Sequence, residues 1–103
     1  MPYGIDDRHI AMLQTVFRGM PEVERVLMFG SRARGDFNAA SDIDLAVAAP
    51  GLDFSGFLGL KAKFEELPLV YKIDLVHMNG LEDHSLREKI ARDGVLFYER
   101  NSI

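Results

Sequence analysis

Along this chain the apolar residues switch between helical and strand spacing several times, and this limits the possible folds more than any other feature. From Asp6 to Gly19, Ile10, Leu13, Val16 and Phe17 recur at helical spacing, with Asp6 or Asp7 as N-cap and Gly19 and Pro21 as the stop. Val23 to Phe29 reads as a strand that becomes wholly apolar towards its end. Gly30-Ser31 follows directly, and Arg32-Ala33-Arg34 predicts a short helical turn before Gly35. Asp42 to Ala48 alternates as a strand, and Pro50-Gly51 closes it. Ser55 to Leu67 carries a helical stripe of Phe57, Leu60, Phe64 and Leu67, stopped by Pro68. Val70 to His77 reads as a third strand, ended by Asn79-Gly80. Ser85 and Glu88 have capping-box spacing, which predicts a last helix running to Asp93 with Gly94 beyond it. Val95 to Tyr98 is a short apolar segment that reads as a further strand. Alternation of this kind predicts an α/β layer with a small central sheet. With 103 residues there is room for one domain, 1–103, and no second core.

The composition narrows the function. Hydrophobic residues make up 48% and charged residues 27%, which suits a packed core and not a disordered chain. Twelve Lys+Arg against sixteen Asp+Glu leave a net charge of −4. That argues against stable binding of duplex nucleic acid, which needs a basic footprint. Cysteine is absent, so disulfides, zinc–thiolate sites and thiol catalysis are excluded. The opening residues lack the pattern of a signal peptide, and no apolar run reaches bilayer length. The expectation is a soluble cytoplasmic protein with no membrane partner.

Two features carry chemistry. Gly30-Ser31 stands where an apolar strand turns into helix. A glycine there lets a ligand approach the backbone, the free N–H groups of the turn favour an anion such as phosphate, and Ser31 adds a hydroxyl donor. Alone, Gly-Ser after a strand is most often only a turn. The second feature is Asp42-Ile43-Asp44. Residues i and i+2 of a strand point to one face roughly 6.5–7 Å apart. Ile43, Leu45 and Val47 then face the core while Asp42 and Asp44 face out together. Paired carboxylates repel unless solvent or a cation compensates, and hard cations such as Mg²⁺ take such oxygens. An isolated Asp-x-Asp is more often a solvated strand face. The combination is rarer: this four-position pattern arises by chance about once per thousand chains of this size. Asp74, inside the apolar strand Tyr71 to Val76, is a third acid that a shared metal site would explain.

Gly30-Ser31-Arg32-Ala33-Arg34-Gly35, followed by Ser41-Asp42-Ile43-Asp44-Leu45, resembles the signature of the polymerase-β nucleotidyltransferase superfamily. The small size resembles its minimal nucleotidyltransferases (MNT), which are often the antitoxin half of HEPN/MNT toxin–antitoxin pairs. The resemblance extends over nearly the whole chain and implies a nucleotidyltransferase-like fold, α/β (α+β), with a small central mixed β-sheet and flanking helices. It implies that Gly30 and Ser31 hold the phosphates of a nucleoside triphosphate, ATP in the leading reading. It implies that Asp42, Asp44 and Asp74 are the catalytic acids and ligate two Mg²⁺ ions, with Asp74 helping to deprotonate the acceptor hydroxyl. Arg32 and Arg34 join the nucleotide-binding set. On a helical turn i and i+2 do not share a face, so one reaches phosphate and the other solvent, and spacing does not decide which. Lys72 shares the face of Asp74 and serves either phosphate or a structural ion pair.

The remaining candidates read as structural. His77 lies opposite Asp74 by alternation, and His9 and His84 have no acidic or histidine partner at ligand spacing. Arg87, Lys89 and Arg92 read as a solvated helix face. Larger nucleotidyltransferases carry an extra domain for the acceptor, so the acceptor here is expected from a partner chain, a second subunit of a homo- or hetero-oligomer, or a small molecule. The leading expectation is transfer of AMP from ATP to a tyrosine hydroxyl of a small helical HEPN-family toxin. The alternatives are nucleotidyl transfer to a small molecule such as an aminoglycoside, and a non-catalytic antitoxin that neutralises by binding.

Overall fold

A computed structural model describes residues 1–100; residues 101–103, the end of the expected domain, lie outside the described residues. After a single 3-10 turn at Pro2–Gly4 come helix α1 (Asp7–Arg18), strand β1 (Arg25–Phe29), helix α2 (Gly30–Arg34), strand β2 (Ile43–Ala48), helix α3 (Phe54–Glu65), strand β3 (Ile73–His77), helix α4 (His84–Asp93) and strand β4 (Val95–Glu99). The strands form a four-stranded sheet in the order β3-β2-β1-β4. β1 is antiparallel to β2 and to β4, while β2 and β3 are parallel, joined by the α3 crossover. The sheet is therefore mixed and the fold α+β, as the family resemblance implies; the alternating periods by themselves predict only an α/β layer.

Aspartates start the three long helices. Asp6 accepts from Arg8 N at 2.8 Å, Asp53 from Gly56 N at 2.7 Å and Asp83 from Leu86 N at 3.1 Å, each satisfying an amide that the helix leaves free. The cap of α4 is thus Asp83, two residues ahead of the expected Ser85 box: an aspartate there already meets the Leu86 amide. β2 and β3 alternate as their sequences predict, while a register shift in the β1–β4 pairing leaves consecutive Phe97 and Tyr98 both in the core. Val26, Met28, Ile43, Leu45, Val47 and Leu75 pack with Leu13 and Phe17 of α1 and Phe57, Leu60 and Phe64 of α3. Phe29 and Ala46 point the other way, onto Ile90 of α4. The sheet is covered on both faces, and what α4 leaves open decides where the site lies. His77 is structural, as expected: its ring stacks on Phe57 at 4.9 Å and its Nε2 meets the Ala49 carbonyl at 2.9 Å. No helix among the described residues is long and apolar enough to cross a membrane.

Candidate active site

The C-terminal end of β1 lies beside the N-terminal ends of β2 and β3. Register places Phe29 opposite Asp44 and Asp44 opposite Asp74. Alternation puts both acids on the face that α4 covers. The helix seals Ala46, one step further along, and leaves Asp44 half-buried and Asp74 exposed at the sheet's end. Gly30, directly after β1, has a positive φ of 76°. A Cβ built on it would collide with the Asp44 carboxylate. The chain therefore turns from β1 into α2 directly against that carboxylate, which only a glycine permits. Ser31, the next residue, is half-buried beside it.

The acids share one field. The Asp44 carboxyl is held above the usual carboxylate range, first by burial, then by the negative charges of Asp74 and Asp42. Arg34 and Lys89 oppose that rise. Among the described residues no three acidic or histidine side chains are drawn together as a ready-made metal site. The donors are nevertheless of the right chemistry for a hard cation: carboxylate oxygens, mutually repelling, at the mouth of a cradle that a single methyl group would fill.

The two arginines of the turn part company. Arg32 was expected in the nucleotide-binding set, and the structure turns it inward. It is 2% exposed; its Nε donates to the Ser41 carbonyl at 3.0 Å and its Nη1 to the Tyr3 carbonyl at 2.9 Å. The rings of Phe37 and Tyr71 flank the guanidinium at 5.2 and 5.1 Å. With its donors committed to backbone and its faces stacked, Arg32 has nothing left for a phosphate. Its work is to fasten the loop that delivers Asp42. Arg34 is the solvent-facing member, bonded to Asp36 at 3.2 Å and Asp93 at 3.1 Å. Lys72 is exposed and makes no ion pair among the described residues. His84 does have an acidic neighbour, Glu88, at 2.9 Å, but both are exposed and form an ordinary i,i+4 pair.

Sequence reasoning missed α4 as a wall of the site. Lys89 lies on the same helix as Asp93, one turn earlier, and its charge reaches Asp44. Only the packing of α4 against β1 and α2 reveals this. Arg32→Ala should be strongly destabilising. Each buried carbonyl left without its donor costs about 1–3 kcal/mol, so the melting temperature should fall by about 10 °C or more. A thermal melt that leaves Arg32→Ala within a few degrees of wild type would show that the loop does not depend on it.

The geometry has counterparts. Residues 12–103 match the family model described as Polymerase beta, Nucleotidyltransferase. Over 97 residues the chain is 30% identical to the Haemophilus influenzae protein called "Probable protein adenylyltransferase MntA", covering 93% of this chain and 84% of that one. Its fold is similar to that of a toxin–antitoxin crystal structure with AMP-PNP, with TM-score 0.69, 24% identity, and coverage of 94% of this chain and 76% of that one. It is also similar to a chain from a tri-AMPylated Shewanella oneidensis HEPN toxin in complex with MNT antitoxin, with TM-score 0.61, 23% identity, and coverage of 91% and 70%.

Proposed function

We propose that this chain, which belongs to the polymerase β nucleotidyltransferase family, transfers AMP from ATP to a tyrosine hydroxyl of a HEPN-type partner and so acts as its antitoxin. The observation that carries the reading is the Gly30 turn set against Asp44 with Asp74 in register beside it. A phosphate chain laid along the Gly30-Ser31 turn brings its reacting phosphorus next to carboxylates that need a cation. The adenylyltransferase relative and the AMPylated toxin of a similarly folded complex support the choice of AMP and of a HEPN acceptor.

In this mechanism Ser31 Oγ donates to a phosphate oxygen and Arg34 adds a guanidinium on the side of α4. Asp42, Asp44 and Asp74 would hold Mg²⁺, two ions, which would neutralise the triphosphate charge. Asp74, exposed on the outer strand of the sheet, accepts the proton of the incoming tyrosine hydroxyl. The oxygen attacks the α-phosphorus, pyrophosphate leaves, and AMP stays on the tyrosine. The small molecule acceptor and the purely binding antitoxin predict different products.

Co-purified partner, incubated with ATP and Mg²⁺ and examined by intact mass, should gain whole AMP units, and this chain should gain none. Asp74→Asn should stop the gain while the complex persists, because docking uses surface beyond one carboxylate. A partner that binds tightly and never gains AMP would overturn the transfer reading in favour of neutralisation by contact.

A further inference from the structure

Asp93, at the C-terminal end of α4, is an acid that no step above uses. Its side chain is only 6% exposed, although Arg92 beside it and Arg34 across from it are 66% and 41% exposed. Arg92 grips both of its oxygens, Nε to Oδ1 at 3.0 Å and Nη2 to Oδ2 at 3.0 Å. That fork fixes the plane of the carboxylate, and Arg92 holds its pKa below the ordinary value, with Arg34 adding to the effect. Oδ2 then receives Arg34 Nη1 at 3.1 Å, while Arg34 Nε bonds Asp36 at 3.2 Å. Arg34 Nη2 has no hydrogen-bond partner among the described residues. The Asp36 contact is 64% exposed on the acid side and exerts little hold on a flexible side chain. The Asp93 contact is the anchored one.

Resting on the nucleotidyltransferase reading, we propose that Asp93 is a positioning residue. It holds Arg34, three residues after Ser31 on α2, with one edge of its guanidinium free, ready for the phosphates of the nucleotide. An exposed arginine at the end of a five-residue helix would otherwise spread over many rotamers. Fixing one of them in advance removes that ordering loss from the binding step. α4 thereby takes part in nucleotide recognition without touching the nucleotide.

The sign of one effect tests this. If Asp93 acted only as a negative charge near the site, Asp93→Asn would remove repulsion and tighten binding of ATP. Positioning requires the opposite. Calorimetry with ATP and Mg²⁺ in the absence of partner, and KM for ATP with Mg²⁺ and partner, should show binding about 3- to 10-fold weaker in Asp93→Asn, with kcat within about twofold. Asp93→Glu should recover part of the loss. In an Arg34→Ala background, already about tenfold weaker, Asp93→Asn should add less than twofold. If Asp93→Asn fails to melt cooperatively, Arg92→Gln loosens the same carboxylate without removing it and should weaken ATP binding in the same direction. Tighter or unchanged binding in Asp93→Asn, or an equal loss with and without Arg34, would overturn the assignment. Wild-type protein that binds no ATP and transfers no AMP would instead remove the reading on which it rests.

Discussion

Asp44→Asn should reduce AMP transfer at least about 100-fold, the scale of losing one electrostatic group from a preorganised transition-state site. Its fold should survive and, without metal, become more stable at neutral pH. The Asp44 pKa in the folded protein lies above the ordinary 3.8, with burial the largest cause and Asp74 and Asp42 next. A raised carboxyl pKa means that the folded state holds this proton more tightly than the unfolded chain does. Stability is then lost as pH rises through the window above the ordinary value, once the group ionises. Asn has no such loss. The variant's advantage should be present at pH 7 and should shrink to nothing below the ordinary carboxylate range. Melts of both proteins across that range, in EDTA, measure it. An Asp44→Asn protein that transfers AMP normally would reduce the acid pair to a solvated strand face.

Gly30→Val should be as damaging to activity, by a different route. The residue sits at φ 76°, where a side chain costs about 1–2 kcal/mol of backbone strain. Its Cβ would also drive into the Asp44 carboxylate. Transfer and ATP binding should both be lost, and the melting temperature should drop by about 5–10 °C. Gly35→Ala separates the two causes. Gly35 has φ 96° and nothing within 4 Å of an added Cβ, so it bears strain without collision. That variant should lose similar stability and keep its transfer. If both variants are equally inactive, the defect is general to the turn and not specific to the Asp44 contact.

Much of this was legible in the sequence because it depends on local pattern. Strand alternation alone separates Ile43 and Leu45 from Asp44, and Ile73 and Leu75 from Asp74. The stops at Gly19, Pro50-Gly51 and Pro68 bound the elements to within a few residues. The pairing of Asp44 with Asp74 was not fixed by either strand's own pattern, because register between strands nearly thirty residues apart is set by the α3 crossover and the packing beneath it. The arginines show the limit most clearly. Arg32 and Arg34 are chemically identical and two residues apart, and the turn's geometry sends one inward and the other outward. The cage that receives Arg32 is assembled from Tyr3, from Phe37 and Ser41 of one loop, and from Tyr71, three separate stretches of chain. Asp93 is similarly opaque, since its partner Arg34 lies 59 positions away.

The Arg32 bonds also tie the segment around Tyr3 to the loop ahead of Asp42. The carbonyl of Tyr3 and the carbonyl of Ser41 are joined through one guanidinium, and the residue after Ser41 is Asp42. A tag, a fusion or a proteolytic cut that disturbs the first five residues therefore pulls on the loop that carries Asp42. Affinity handles belong elsewhere on this molecule, and a preparation lacking residues 1–5, which include the fully buried Ile5, should melt well below the intact protein, as is expected of Arg32→Ala.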